Sequence, residues 1–323
     1  MCLIAMAWGV SAQYPLVIAS NRDEFYARPT APLAQWTTQE GHTIFSGRDL
    51  KDGGTWLGFA QNGRFAMLTN VRNPNAPVPA APRSRGALVM DWLTSSHAAA
   101  AWCEAHKPAR YAGFNLIIGD WTRQECHYVS NQLGAFSAQD LETKQPLVQW
   151  NIAGAVTKNE ATGLPIEIPR GQIVGLSNAA LNTPWPKTLH LVGALGDALD
   201  HAPGAVPADP LGSAARGAPN QSLTGPPPKH LALPDLQEAL QRALLDQQTA
   251  PSDQLPQTGV PAPQELALSS VFVRYPVHQP SYGTRTSLVV VLSAQQRLHL
   301  LETTHPIAQQ RGGQVAHSLD WPL

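Results

Sequence analysis

The chain opens Met1-Cys2-Leu3-Ile4-Ala5-Met6-Ala7-Trp8, and after the turn-rich GVSAQYP a second apolar run, Leu16-Val17-Ile18-Ala19-Ser20, leads into Asn21-Arg22-Asp23-Glu24. Both runs are almost continuously apolar, the pattern of a strand covered on both faces, and the short polar connection between them predicts a hairpin. Cys2 admits two readings. It is a small buried hydrophobe, the usual fate of a free cysteine. Alternatively, Met1 is removed, as happens when the second residue is small, and Cys2 becomes the first residue and a nucleophile. The rest of the chain decides which reading has company.

The 323 residues suffice for a large core. A net charge of −1 with no basic run argues against a nucleic-acid partner. No stretch approaches the roughly twenty apolar residues of a membrane span, so no integral membrane segment is expected. Cys2, Cys103 and Cys126 are scattered without a metal-ligand spacing, which points to reduced thiols and a cytoplasmic compartment. The eleven histidines form no ligand-like pairs, so no metal site is expected.

GTWLGFAQ and RFAMLTNV flank Asn62-Gly63, a strong hairpin signal. Helices are predicted over Gly86 to Thr94, behind Ser96 up to Lys107, over Trp185 to Leu199 and over LPDLQEALQRALLDQ from Leu233. FNLIIGD, QECHYVS, GQIVGLSN, SSVFVRY, TSLVVVLS and RLHLLET read as strands, the last two as a hairpin. Residues 201–230 are rich in proline, alanine and glycine and read as a disordered insertion in an otherwise single domain. Strand pairs alternating with blocks of helix predict an α+β fold of antiparallel sheets covered by helices.

The chain lacks GxGxxG after a strand, a Walker loop, HExxH and GxSxG. What stands out instead are polar clusters at strand ends: Asn21-Arg22-Asp23-Glu24, Ser46-Gly47-Arg48-Asp49, Thr69-Asn70, Ser177-Asn178, and Tyr282-Gly283-Thr284-Arg285. Each alone also reads as turn formers. With Cys2 they gain a chemistry. A free α-amine has a pKa of about 7.7–8.0, so the amine of a mature Cys2 could take its own thiol's proton. Asn70 and Asn178 are neutral donors suited to an oxyanion, and a cation such as Arg22 favours the thiolate.

Met-Cys, NRDE, GGTWLG, LTN-x-R, SRG, LSN, WPK and YGTR, in this order, closely resemble the NRDE family, also called the transport and Golgi organisation protein two family. The match spans most of the chain outside residues 201–230. The resemblance implies the fold of N-terminal nucleophile hydrolases, a four-layer α-β-β-α sandwich, and relatives among the bile-salt hydrolases and penicillin V acylases. It implies Cys2 as nucleophile, Asn70 and Asn178 as oxyanion or amine-orienting residues, and Arg285 as an active-site cation. Asn21, Glu24, Trp56 and Arg72, in the NRDE, GGTWLG and LTN-x-R motifs, are then expected to bind substrate.

The acylases carry their arginine and aspartate three residues apart, whereas Arg22 and Asp23 are adjacent and adjacent strand residues face opposite ways. Either the strand has ended there, or Asp23 or Glu24 takes the acid's place through a local shift. Two functions fit. One is a cofactor-free N-terminal cysteine hydrolase or acyltransferase acting on an amide or thioester of a small acyl compound. The other is a protein that binds and carries haem or an acyl-CoA-like lipid in the same pocket. Cys103 is expected to pack a helix, and Cys126 to lie in a strand without a partner motif.

Overall fold

The computed structural model describes residues 2–76, 78–106, 110–131, 165–199, 231–275, 281–307 and 311–322. The predicted insertion at 201–230 lies outside them.

Strand β1 (Cys2–Trp8) pairs antiparallel with β2 (Leu16–Phe25), as the two apolar runs imply. The alternation along them builds the layers. Ile4, Met6, Trp8, Leu16 and Ile18 enter a core shared with a second sheet, while Leu3, Ala5, Ala7, Val17 and Ala19 meet helices. Both faces are dry, which is why neither strand shows a polar alternation.

The first sheet adds β10 (Gln172–Leu176) beside β1, then β12 (Tyr282–Leu292), β13 (Arg297–Thr304) and β14 (Gly313–Asp320) beyond β2; β11 (Arg274–Tyr275) pairs with the start of β12. The second sheet runs in order β3 (Thr30–Thr37), β4 (Thr43–Asp49), β5 (Leu57–Ala60), β6 (Arg64–Asn70), β7 (Phe114–Asp120), β8 (Glu125–Ser130) and β9 (Ile166–Glu167). Every pairing among the described residues is antiparallel.

Helices α1 (Gly86–Thr94) and α2 (Ala99–Ala105) cover the outer face of the second sheet, through Leu88, Val89, Trp92 and Trp102 against Ala66, Leu68 and Leu116. Helices α3 (Pro186–Ala198) and α4 (Leu233–Leu244) cover the first. In α4, Leu236, Leu240 and Leu244 recur every four residues and form one apolar stripe. The result is the four-layer α-β-β-α sandwich that the resemblance implied. Cys103 packs under α2, and Cys126 lies in the inter-sheet core.

Three features differ from the sequence reading. The polar cluster does not end β2, which runs on to Phe25 with Asn21, Arg22 and Asp23 buried. Strands β3 and β14 were not expected because they are edge strands with few inward apolar residues; β3 even carries Pro32. Most of SSVFVRY is not paired as strand. Only Arg274 and Tyr275 join the sheet, while the Val271 carbonyl is taken by the Asn21 side chain at 2.9 Å.

Between the sheets, the Leu33 N–H of β3 donates to Oε1 of Glu302 at 2.7 Å. Glu302 is buried, and burial pushes its carboxyl up to about 7, with Arg22 pulling the other way. Raised in the folded state, this group stabilises the protein below its ordinary range near 4.5, and that stability is lost as pH climbs through about 7. Glu302→Gln, which keeps an acceptor for Leu33, is therefore expected to match the parent in urea unfolding at pH 4.5. At pH 8 it should be the more stable, by up to about 3 kcal/mol. Equal pH dependence of the two proteins would contradict this.

Candidate functional site

Cys2 begins a central strand at the end where the two sheets are laced together. Its register partner on β2 is Arg22. On the other side, the register that pairs Ile4 with Leu176 brings Ser177 level with Leu3 and Asn178 level with Cys2 when extended by two pairs, and Ser177 Oγ approaches the Cys2 carbonyl at 3.5 Å. Cys2 shares the strand face of Ile4 and Met6 and so points between the sheets. Burial raises its thiol pKa, and Arg22 draws it back down.

The NRDE motif divides by face. Arg22 lies on the Cys2 side, its guanidinium 4.1 Å from the centre of the Trp56 ring and its Nη1 donating to Thr30 Oγ1 at 3.3 Å. Trp56 lies against Gly47, where a Cβ would come within 2.5 Å of the indole, so glycine there lets the ring lie flat. NRDE, GGTWLG and SGRD thus meet in one stack. Glu24, also on this side, is 3.7 Å from Arg22 and 3.8 Å from Arg28, which is held in turn by Asp49 and Asp52 at 2.6 Å each. Arg85, of the SRG motif, donates to the Gly113 carbonyl at 3.1 Å and is close enough to Glu24 and Cys2 to feel both charges.

Asn21 and Asp23 face the helices. Asn21 Nδ2 donates to the carbonyls of Leu244 and Val271 at 2.8 and 2.9 Å, and its Oδ1 accepts from Ser287 Oγ at 2.6 Å. Ser287 in turn meets His305 Nε2 at 2.8 Å. Asn21 is therefore a clamp that ties β2 to α4, to the 269–273 segment and to β12. Asp23 accepts from Thr284 Oγ1 at 2.7 Å, and its carbonyl accepts from the Tyr282 hydroxyl at 2.9 Å. Burial raises its carboxyl, opposed by Lys187.

A bulge makes this division possible. Thr284 pairs with Asp23 and Thr286 with Arg22, so Arg285 is the extra residue on β12 and the alternation resets across it. Arg285 turns to the rim, where Nη1 donates to the carbonyls of Arg28 and Phe25 at 2.5 and 3.4 Å. It lines a cleft of about 230 Å³ together with Thr30, Pro32, Thr286 and Arg311. Thr30 and Thr286 are the neighbours of Arg22, so the cleft adjoins the Cys2 face.

At the other side, Asn178 Nδ2 donates to the Asn70 carbonyl at 2.8 Å, and the Arg72 N–H donates to the Asn178 carbonyl at 2.7 Å. Thr69 Oγ1 donates to the Ser177 carbonyl, and Asn115 Nδ2 to that of Ala179 at 2.8 Å. The backbone of Asn70, rather than its side chain, makes this link. By alternation the Asn70 side chain shares the outer face of Leu68 and Phe114, not the Cys2 face. No three His, Cys, Asp or Glu side chains among the described residues converge to hold a metal ion.

Lys187 and Glu302 were missed as site residues. Lys187 is in the WPK motif but carries no catalytic signature in sequence. In the structure it is buried at the start of α3, its pKa lowered to about 8 by burial, within electrostatic reach of Asp23, Arg72 and Cys2. Glu302 had a readable signal: it is the acid at an inward position of a strand whose other inward residues are Leu298 and Leu300.

These features define an α-β-β-α sandwich with a cysteine heading a central strand, set between an arginine and an asparagine. The chain belongs to the Transport and Golgi organisation 2 family, whose model matches residues 1–306. It is similar to the Transport and Golgi organization protein 2 homolog of Bos taurus, with 29% identity over 90% of this chain and 86% of that protein. It is also similar to Transport and Golgi organization protein 2 of Drosophila melanogaster, with 26% identity over 94% and 92%. Among solved structures, a mutant conjugated bile acid hydrolase from Clostridium perfringens is similar over 99% of this chain and 92% of that one, at 10% identity and a TM-score of 0.43. No helix among the described residues is long and apolar enough to cross a membrane.

The clamp role of Asn21 predicts a stability effect separate from chemistry. Asn21→Ala would strand two buried carbonyls and take away one of the two partners of the Ser287 hydroxyl, at a cost on the order of 2–4 kcal/mol. Urea unfolding should register it; a change within about 0.5 kcal/mol, the range of a neutral surface substitution, would contradict the role.

Proposed function

We propose that this protein is an N-terminal cysteine hydrolase or acyltransferase that acts on an amide or thioester of a small acyl compound. The observation that carries the reading is the position of Cys2 at the head of a central strand, on the inter-sheet face, paired with Arg22 on one side and met on the other by Ser177, next to Asn178. With Met1 in place the thiol is buried and its pKa is raised, which makes a poor nucleophile. Removal of Met1 leaves an α-amine on the same residue, able to hold the thiol's proton near neutral pH.

The sulfur then attacks the acyl carbonyl carbon while the amine takes the thiol proton. In this reading Asn178, whose amide carries a second hydrogen besides the one given to Asn70, donates it to the developing oxyanion. The tetrahedral centre collapses, the carbon–nitrogen or carbon–sulfur bond breaks, and the protonated amine returns its proton to the leaving amine or thiol. Water, or an acceptor in the transferase case, resolves the acyl-cysteine. Arg22, held flat on Trp56, favours thiolate; Arg285 and the rim cleft beside it supply a surface for the acyl chain.

The test is intact-mass analysis of the purified full chain before and after exposure to an N-acetylcysteamine thioester. The expected result is a chain lacking Met1 that gains one acyl group on Cys2, with the adduct absent in Cys2→Ala. Retention of Met1, or equal acylation of Cys2→Ala, would overturn the proposal. A carrier of haem or acyl-CoA would instead bind its ligand saturably and leave Cys2 unacylated.

A further inference from the structure

Arg72 follows the LTN of β6 and is buried, 8% exposed. Its guanidinium lies over the Trp185 ring, 5.0 Å from the ring centre, and Nη1 pairs with Glu265 at 2.9 Å. Nε and Nη2 have no partner among the described groups. These two nitrogens form one edge of the guanidinium, the side-on fork that meets both oxygens of a carboxylate or phosphate at once. Glu265 approaches from elsewhere, through Nη1, and is itself spent on the N–H and hydroxyl of Thr258.

A second cation is close by. Lys187, 3% exposed, makes no ion pair with a described residue, and Arg72 is one of the charges that shift its titration. Both residues sit at the start of the 13-residue helix α3, which has no side-chain N-cap and no acid in its first turn. Thr188, in that same turn, has a buried hydroxyl without a partner. Three of the five orphaned buried polar atoms among the described residues thus belong to Arg72 and to the first turn of α3, where the helix dipole also favours negative charge. Buried groups of this kind are seldom left unpaired. The place adjoins the site: the Arg72 N–H holds the Asn178 carbonyl, level with Cys2.

We infer that Arg72, Lys187 and the first turn of α3 seat an oxyanion group of the ligand, a carboxylate or a phosphate, so that the preferred acyl compound is anionic. This rests on the hydrolase reading only for the word acyl; the seat itself does not require Cys2 to react.

The test is isothermal titration calorimetry of the full chain with inorganic phosphate and, separately, with acetate, in a buffer free of other oxyanions. Saturable one-to-one binding of either anion is expected. Preference for acetate identifies a carboxylate ligand, and preference for phosphate a phosphoester. Arg72→Gln and Lys187→Met should each weaken binding by about tenfold or more, the loss of one charge-assisted contact. Arg72→Lys keeps the charge without the fork and should fall between Gln and the parent, so the inference stays testable if Arg72→Gln does not fold. Cys2→Ala should bind as the parent does, which separates failure of the seat from failure of the catalytic reading. Absence of saturable binding of both anions, or unchanged affinity in the folded Arg72 and Lys187 variants, would overturn the inference.

Discussion

Because β2 is covered on both faces, its polar end has to be answered by partners in two different layers. The rest of the site follows from that requirement. Arg22 and Glu24 are met between the sheets, by Trp56 and the Arg28 network; Asn21 and Asp23 are met on the helical side, by the clamp at Leu244 and Val271 and by Thr284. The bulge at Arg285 lets one neighbouring strand serve both faces, with Thr284 on one side and Thr286 on the other. A buried network of this kind is stable only when it is fully satisfied, and it then specifies one geometry.

The second constraint is the lacing of the two sheets at the other flank of Cys2. Asn178, Ser177 and Ala179 at the end of β10 are held by Asn70, Thr69 and Asn115 of the second sheet. Those bonds fix the distance between layers where the inter-sheet core gives way to polar groups. Cys2 therefore sits between two independently braced flanks, one built by β2 and β12 and the other by β6 and β10. The nucleophile proposed at Cys2 would need such bracing, since small displacements of reacting groups cost large factors in rate. The braced position adds physical content to the family membership.

Much of the frame was legible in the residues. Unbroken apolar runs at residues 2–8 and 16–20 announced strands dry on both faces, and Asn62-Gly63 announced the β5–β6 hairpin. The edge strands β3 and β14 were not legible, because an edge needs few inward apolar residues and their sequences look like loops. In the site, the difficulty of adjacent Arg22 and Asp23 could be stated from sequence but not settled. Its resolution lies in a strand that continues to Phe25 and a bulge on its neighbour, neither of which leaves a local signature. The orientation of Asn70 was likewise a matter of register: one residue decides whether a side chain faces Cys2 or the opposite layer. Lys187 escaped because a single lysine at a helix start looks solvated until packing buries it.

The central claim is that Cys2 carries both nucleophile and base. It is tested most directly by the pH dependence of Cys2 alkylation with iodoacetamide, followed by mass spectrometry, in two folded proteins. One has Cys2 as its first residue; the other keeps Met1 behind an uncleaved N-terminal extension. The account predicts rapid labelling at neutral pH in the first and slow labelling in the second, rising only at alkaline pH as the buried thiol ionises. Identical profiles in the two proteins would contradict it.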